Sequence, residues 1–157
     1  MSIKLEKQPD DYTCGITCVK MISDFFKKGN YSVKELCQLC DFFKYLGTNS
    51  TKIKQLFTKL DIKYSTKNID KTEDLKKYLK SSFVLQVIYL KDKTPHWIII
   101  ESFVDDKFKI LDPYYGLMFM GDDELEYYLK YKNYKHLPKF IVGGYIGHHT
   151  ILVPKSQ

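Results

Sequence analysis

Four side chains in this sequence have the chemistry that acyl transfer needs. Cys14 could supply a nucleophile, His96 a general base and acid, Asp112 a carboxylate to fix the imidazole, and Gln8 a side-chain amide for a developing oxyanion. Cys14 lies in QPDDYTCGITCVKMISDFF, from Gln8 to Phe26, a polar loop running into a helix. Cys14, Cys18, Met21, Ile22 and Phe25 recur at helical spacing and form one apolar stripe. Thr13 stands where an N-cap would, so Cys14 is expected to open the helix. A thiol there meets unpaired backbone N–H groups and the positive end of the helix dipole, which favour the thiolate. Gly15 is read as room for a substrate backbone, and the Cys14 amide as one oxyanion donor with Gln8 as the other. Plain packing of the thiol is the alternative.

His96 opens one β-prone run, HWIIIESF, and Asp112 closes the next, KFKILD. Their meeting depends on the turn between the runs. A three-residue turn of Val104, Asp105 and Asp106 pairs Phe103 with Lys107 and sets Ile98 across from Asp112. His96 is then diagonal to Asp112 on the same face, within reach of an imidazole and a carboxylate. A two-residue turn would separate the two by face. The three-residue turn is therefore expected.

The elements that must hold these residues fall in two halves. In the first, a turn from Lys27 to Tyr31 follows the Cys14 helix. A second helix runs from about Val33 to Lys44, opened by a Ser32–Glu35 capping box, with Val33, Leu36, Cys40 and Phe43 on its apolar face. Gly47 to Ser50 form a loop and cap, and Ile53, Leu56, Phe57 and Leu60 mark a third helix. Asp61 to Lys67 contain a short strand, and Thr72 caps a fourth helix carrying Leu75 and Leu79. In the second half, FVLQVIYL (Phe83 to Leu90) is a buried strand, and the two runs above follow it. GLMFM is a short strand, Asp122 caps a helix with Leu125, Tyr128 and Leu129, and Lys139 to Pro154 read as strand, loop and strand. The expected layout is α+β, with N-terminal helices packed on a C-terminal antiparallel sheet in one domain spanning residues 1–157.

Composition narrows the function. The net charge is +6 and all 25 basic residues are lysines dispersed among acids. Without arginine there is no planar fork for phosphate or guanine, so a nucleic-acid partner is not expected. No run reaches the length of a membrane span and the N-terminus lacks a signal-peptide core. The default compartment is the cytoplasm, with export by another route left open, and the default state a monomer. Cys14, Cys18, Cys37 and Cys40 are spaced like a four-cysteine zinc site. However, Cys37 and Cys40 sit inside a helical pattern, not a glycine or proline knuckle. Packing is therefore the reading for Cys18, Cys37 and Cys40, and no metal or cofactor is expected. His148 and His149 read as a solvated tail, and Gly143-Gly144 as a turn.

Three pieces resemble the bacteriocin-processing, double-glycine leader peptidases, which are papain-like cysteine peptidases. They are Gln8 with CGITCVKMI beginning at Cys14, the middle helix pair YSVKELC and GTNSTKIKQLFTKLDIKY, and HWIIIESFVDDKFKILDPYYG. Together they cover about residues 6–120. The resemblance implies a papain-like fold, Cys14 as nucleophile, His96 as base and acid, Asp112 as orienting residue and Gln8 as oxyanion donor. It implies cleavage of a peptide or isopeptide bond, after a glycine pair, through an acyl-enzyme. One departure is Thr13, where these peptidases often carry Asp or Glu. The chain has no membrane helices and no phosphate-binding loop, so a stand-alone bacterial domain is expected. The same triad would also serve an acyltransferase or deamidase, and the same groove a module that holds a peptide without cutting it.

Overall fold

The computed structural model describes residues 2–42, 47–90, 94–129 and 150–157. Among these residues the order is α1 (Cys14–Phe25), α2 (Val33–Leu39), α3 (Ser50–Lys59), β1 (Ser65–Lys67), α4 (Thr72–Leu79), β2 (Ser82–Tyr89), β3 (Pro95–Val104), β4 (Lys107–Asp112), β5 (Gly116–Met120), α5 (Asp122–Leu129) and β6 (Thr150–Pro154). The expected strand and loop before β6, with Gly143, Gly144, His148 and His149, lie outside the described residues.

Local chemistry explains most boundaries. Ser32 and Glu35 form the expected capping box: the Glu35 amide donates to Ser32 Oγ at 3.2 Å and the Ser32 amide to Glu35 Oε2 at 2.7 Å. Asn49 caps α3 by accepting from the Lys52 amide at 3.0 Å. Three boundaries differ from expectation. Helix α2 stops at Leu39 with Cys40 as its C-cap, because Asp41 adopts φ 49°. Lys52 Nζ, from α3, donates to the Cys40 carbonyl at 2.6 Å and helps close that end. Thr72 and Asp122 are the first helical residues of α4 and α5 and not their caps.

The strands form one six-stranded sheet in the order β1-β6-β2-β3-β4-β5, with every pair antiparallel. The last strand, β6, inserts between β1 and β2, so β2 is buried along its whole length. Alternation sorts the core. Leu85, Val87, Trp97, Ile99 and Leu111 pack with α1, α2 and α3. Val84, Ile98, Ile100 and Ile110 pack with Leu75 and Leu79 of α4 and Leu125 and Leu129 of α5. The helices therefore cover both faces of the sheet.

The β3–β4 hairpin corrects one expectation and keeps its consequence. Val104 pairs with Lys107, so the turn has two residues, Asp105 and Asp106, with φ 51° and 58°. That alone would put His96 and Asp112 on opposite faces. A β-bulge between Ile100 and Ser102 takes up one extra residue, Glu101. Beyond it Ile100 pairs with Ile110 and Ile99 with Leu111. One further step sets Ile98 across from Asp112, the expected register reached by a different route.

The bulge also anchors the N-terminal segment. The buried Glu101 carboxylate accepts from Ser2 Oγ at 2.7 Å and the Ile3 amide at 2.6 Å, and pairs with Lys109 at 2.6 Å. The segment ends with the Gln8 amide donating to the Pro113 carbonyl at 2.8 Å. Among the described residues no helix is long and apolar enough to cross a membrane.

Candidate active site

Cys14 begins α1 and is buried, with 7% of its surface exposed. Thr13 occupies the N-cap position as expected, but its hydroxyl makes no cap bond. It donates instead to Asp10 Oδ1 at 3.0 Å, and the Tyr12 amide donates to the same oxygen at 2.9 Å. Asp10 thus folds the loop leading into the helix, an Asx arrangement. The first turn carries no acidic side chain. Its orphan amides and the positive end of the dipole are therefore not neutralised by a side chain of that turn.

His96, at the start of β3, and Asp112, at the end of β4, do meet: Nε2 lies 2.8 Å from Asp112 Oδ1, with Asp112 fully buried. The same oxygen accepts from the amides of Tyr114 at 2.7 Å and Tyr115 at 2.9 Å. These donors hold the carboxylate in place, while the Tyr115 ring packs edge-on to the imidazole at 6.5 Å. Cys14 is close enough to the His96 side chain to raise the proton affinity of the ring. With Nε2 committed to Asp112, Nδ1 is the nitrogen left for the sulfur. Burial pulls the imidazole pKa down, but the bonds to Asp112 and Cys14 and their charges outweigh it and raise the value to about 9. The ring is built to hold a proton.

Gln8 is tied by its backbone N–H to the Pro113 carbonyl, one residue after Asp112, at 2.8 Å. Its amide Nε2 donates to the Asp10 carbonyl at 2.6 Å, and its Oε1 is buried without a hydrogen-bond partner. A carboxamide nitrogen has two hydrogens, so one remains. Gly15 does a different job from the one expected. A Cβ there would lie 2.4 Å from Thr48 Cγ2 and 3.0 Å from Trp97 Cδ1. The space it leaves is filled by the protein and not by a substrate. An open cavity of about 490 Å³ borders Asp112 and Tyr115 and is walled by Ile88, Met118, Met120 and Tyr128.

The family model described as the Peptidase C39 family matches residues 2–134. The chain belongs to the peptidase C39 family. A search of curated proteins finds no match. Among solved structures, the peptidase domain of Streptococcus ComA, a bi-functional ABC transporter involved in a quorum-sensing pathway, is 22% identical with a TM-score of 0.67, covering 98% of this chain and 99% of that one. A double-glycine motif protease from an AMS/PCAT transporter, solved in complex with the leader peptide, is 16% identical with a TM-score of 0.66, covering 98% and 94%. A C39-like peptidase from Bacillus anthracis is 11% identical with the same score of 0.66 and the same coverage. The fold is the α+β papain-like fold of these peptidase domains, and the protein is a papain-like cysteine peptidase.

The remaining thiols of this C39 domain are all free. Cys18 is buried, its pKa is raised by that burial and then by the charges of Cys14 and Asp112, and its Sγ lies 3.6 Å from the Trp97 carbonyl. Burial also raises Cys37, to about 11, and Cys40. Among the described residues no three His, Cys, Asp or Glu side chains are grouped to hold a metal ion. Three contributors to the site escaped sequence reading. Asp10 had a readable signal, an Asp three residues before a Thr in a loop. Thr48 and Trp97 had none, because their roles arise only where α1 meets β3.

Proposed function

We propose that this C39 domain hydrolyses a peptide bond through Cys14, His96 and Asp112, with Gln8 and the Cys14 amide as oxyanion donors. One observation carries the reading: a single buried imidazole is held by Asp112 at 2.8 Å and feels Cys14 strongly enough that both raise its proton affinity. The Cys14 thiolate attacks the scissile carbonyl carbon. The tetrahedral oxyanion is met by the Cys14 N–H and the free hydrogen of Gln8 Nε2. His96 gives its proton to the leaving amine, and the acyl-enzyme forms. Water, deprotonated by His96, then attacks the thioester and releases the acid.

The substrate class is a peptide carrying a leader that ends in a glycine pair. Family membership supports it, as does the neighbouring double-glycine motif protease solved with its leader peptide. The apolar cavity beside Asp112 suits an apolar side chain of such a peptide.

A leader peptide ending in Gly-Gly, incubated with wild type, Cys14→Ala and His96→Ala, tests this. Mass analysis should find two fragments from wild type and intact substrate from both variants, which remain folded by circular dichroism. Cleavage at the wild-type rate by Cys14→Ala would sink the reading. A deamidated or amine-bearing product in place of two fragments would replace hydrolysis with the corresponding transfer chemistry.

A further inference from the structure

Thr48 touches both halves of the site. Its hydroxyl donates to the Tyr12 carbonyl at 3.1 Å, two residues before Cys14. Its own carbonyl accepts from Trp97 Nε1 at 2.7 Å, one residue after His96. Its methyl group faces Gly15, where the 2.4 Å separation from an added Cβ leaves no slack. Thr48 and Trp97 are each 1% exposed, so water does not compete for these contacts.

We infer that Thr48 is a positioning residue that sets the separation between the Cys14 sulfur and the His96 ring. The inference rests on the catalytic reading above. The two groups on its Cβ act in opposite senses. The hydroxyl draws the Tyr12–Cys14 loop toward β3, and the methyl stops α1 from closing further. The backbone carbonyl, held by Trp97, fixes both to the strand that begins beside His96. Nucleophile and base come from segments more than eighty residues apart, and Thr48 bridges the place where those segments meet. Valine keeps the stop and loses the pull; serine keeps the pull and loses the stop. Reacting groups need near-attack geometry, so a small displacement here costs rate rather than substrate affinity.

Thr48→Val and Thr48→Ser in the full chain test this with two readouts. The first is kcat and KM on the Gly-Gly leader peptide. The second is the pH profile of Cys14 alkylation by iodoacetamide, followed by peptide mass spectrometry, which needs no substrate. Thr48→Val should lower kcat about tenfold or more with KM within about twofold, and shift the alkylation profile toward higher pH. Thr48→Ser should lose about threefold, a partial rescue by the retained hydroxyl. A Val variant with a lower melting temperature but wild-type kcat and alkylation profile would overturn the proposal, because only a structural role would remain. Should Thr48→Val not fold, Thr48→Ser decides: wild-type kcat and profile overturn the proposal, and a reduced kcat at unchanged KM upholds it. Cys14→Ala run alongside separates the two claims, since cleavage by that variant defeats the catalytic reading while the alkylation profiles still report on Thr48.

Discussion

The start of α1 and the β3–β4 hairpin deliver their side chains to the site by different physics. Cys14 is placed locally. Asp10 folds the preceding loop through Tyr12 and Thr13, and the helix begins at the cysteine. The chain can redirect a cap hydroxyl there without moving the thiol. His96 and Asp112 are sixteen residues apart and are placed by register. A slip of one residue in a ladder reverses every side chain, so this half tolerates no such freedom. The hairpin meets that demand with a two-residue turn and a compensating bulge. Asp105 and Asp106 both have positive φ, the geometry whose twist matches paired strands. The odd residue is then taken up at Glu101, whose carboxylate binds the N-terminal segment. One half is robust because it is local, and the other because it is over-determined.

Breaking the hairpin half should have the largest effect. Asp112→Ala removes the acceptor for His96 Nε2 and for the amides of Tyr114 and Tyr115. We expect kcat/KM to fall about 10³-fold. Asp112→Asn should lose less, because an amide oxygen still orients the ring while the charge is gone. The pH dependence sharpens this. His96 is raised from 6.5 to about 9, so its protonated form is favoured by folding. That contribution to stability is complete below about pH 6.5 and is lost as pH rises through about 9. Melting temperature across this window should drop more in wild type than in Asp112→Asn. Equal slopes would show that the carboxylate does not set the proton affinity of the ring.

The same contrast governs what could be read from residues alone. The capping box at Ser32 and Glu35 and the apolar stripe of α1 are encoded within one or two turns and stand as expected, and the cap expected within Gly47 to Ser50 is supplied by Asn49. Local signals fail where a single residue has two partners to choose from. The Thr13 hydroxyl goes to Asp10 and not to α1, and Asp41 enters the left-handed region and ends α2 early. Non-local features were out of reach for a stronger reason. Nothing near Glu101 marks a bulge, nothing in the C-terminal strand says that it pairs between β1 and β2, and Gly15 acquires its meaning only from Thr48 and Trp97. The pairing of His96 with Asp112 was legible as an expectation, but the turn given as its reason was not the one the chain uses.

Gly15→Ala tests the helix half at its tightest point. Its Cβ would meet Thr48 Cγ2 at 2.4 Å and Trp97 Cδ1 at 3.0 Å, so the first turn of α1 must shift or the wedge must give. We expect a loss of about 1–3 kcal/mol in stability, the usual cost of overpacking. We also expect about a tenfold fall in kcat from the displaced sulfur. Urea denaturation and steady-state kinetics measure the two separately. Destabilisation with unchanged kcat would mean that the helix moves as a body and carries the thiol and its partner together, which would weaken the claim that this half is placed locally.

The smallest effect should come from the hairpin turn itself. Asp105 and Asp106 occupy a left-handed region that non-glycine residues enter at some cost. Replacing the pair with Asn-Gly supplies the residues that a two-residue turn of this type prefers. The glycine does not enlarge the strain of the folded state, but it does make the unfolded chain more flexible, and these effects oppose each other. We expect a net gain of about 0.5 kcal/mol in urea denaturation, with kcat within twofold of wild type. The catalytic register is held by the ladder beyond the bulge, where Ile100 pairs with Ile110 and Ile99 with Leu111, and not by the turn. A marked fall in kcat in a variant that folds more stably would reverse that order of control. The turn would then set the meeting of His96 with Asp112, and the bulge would merely follow.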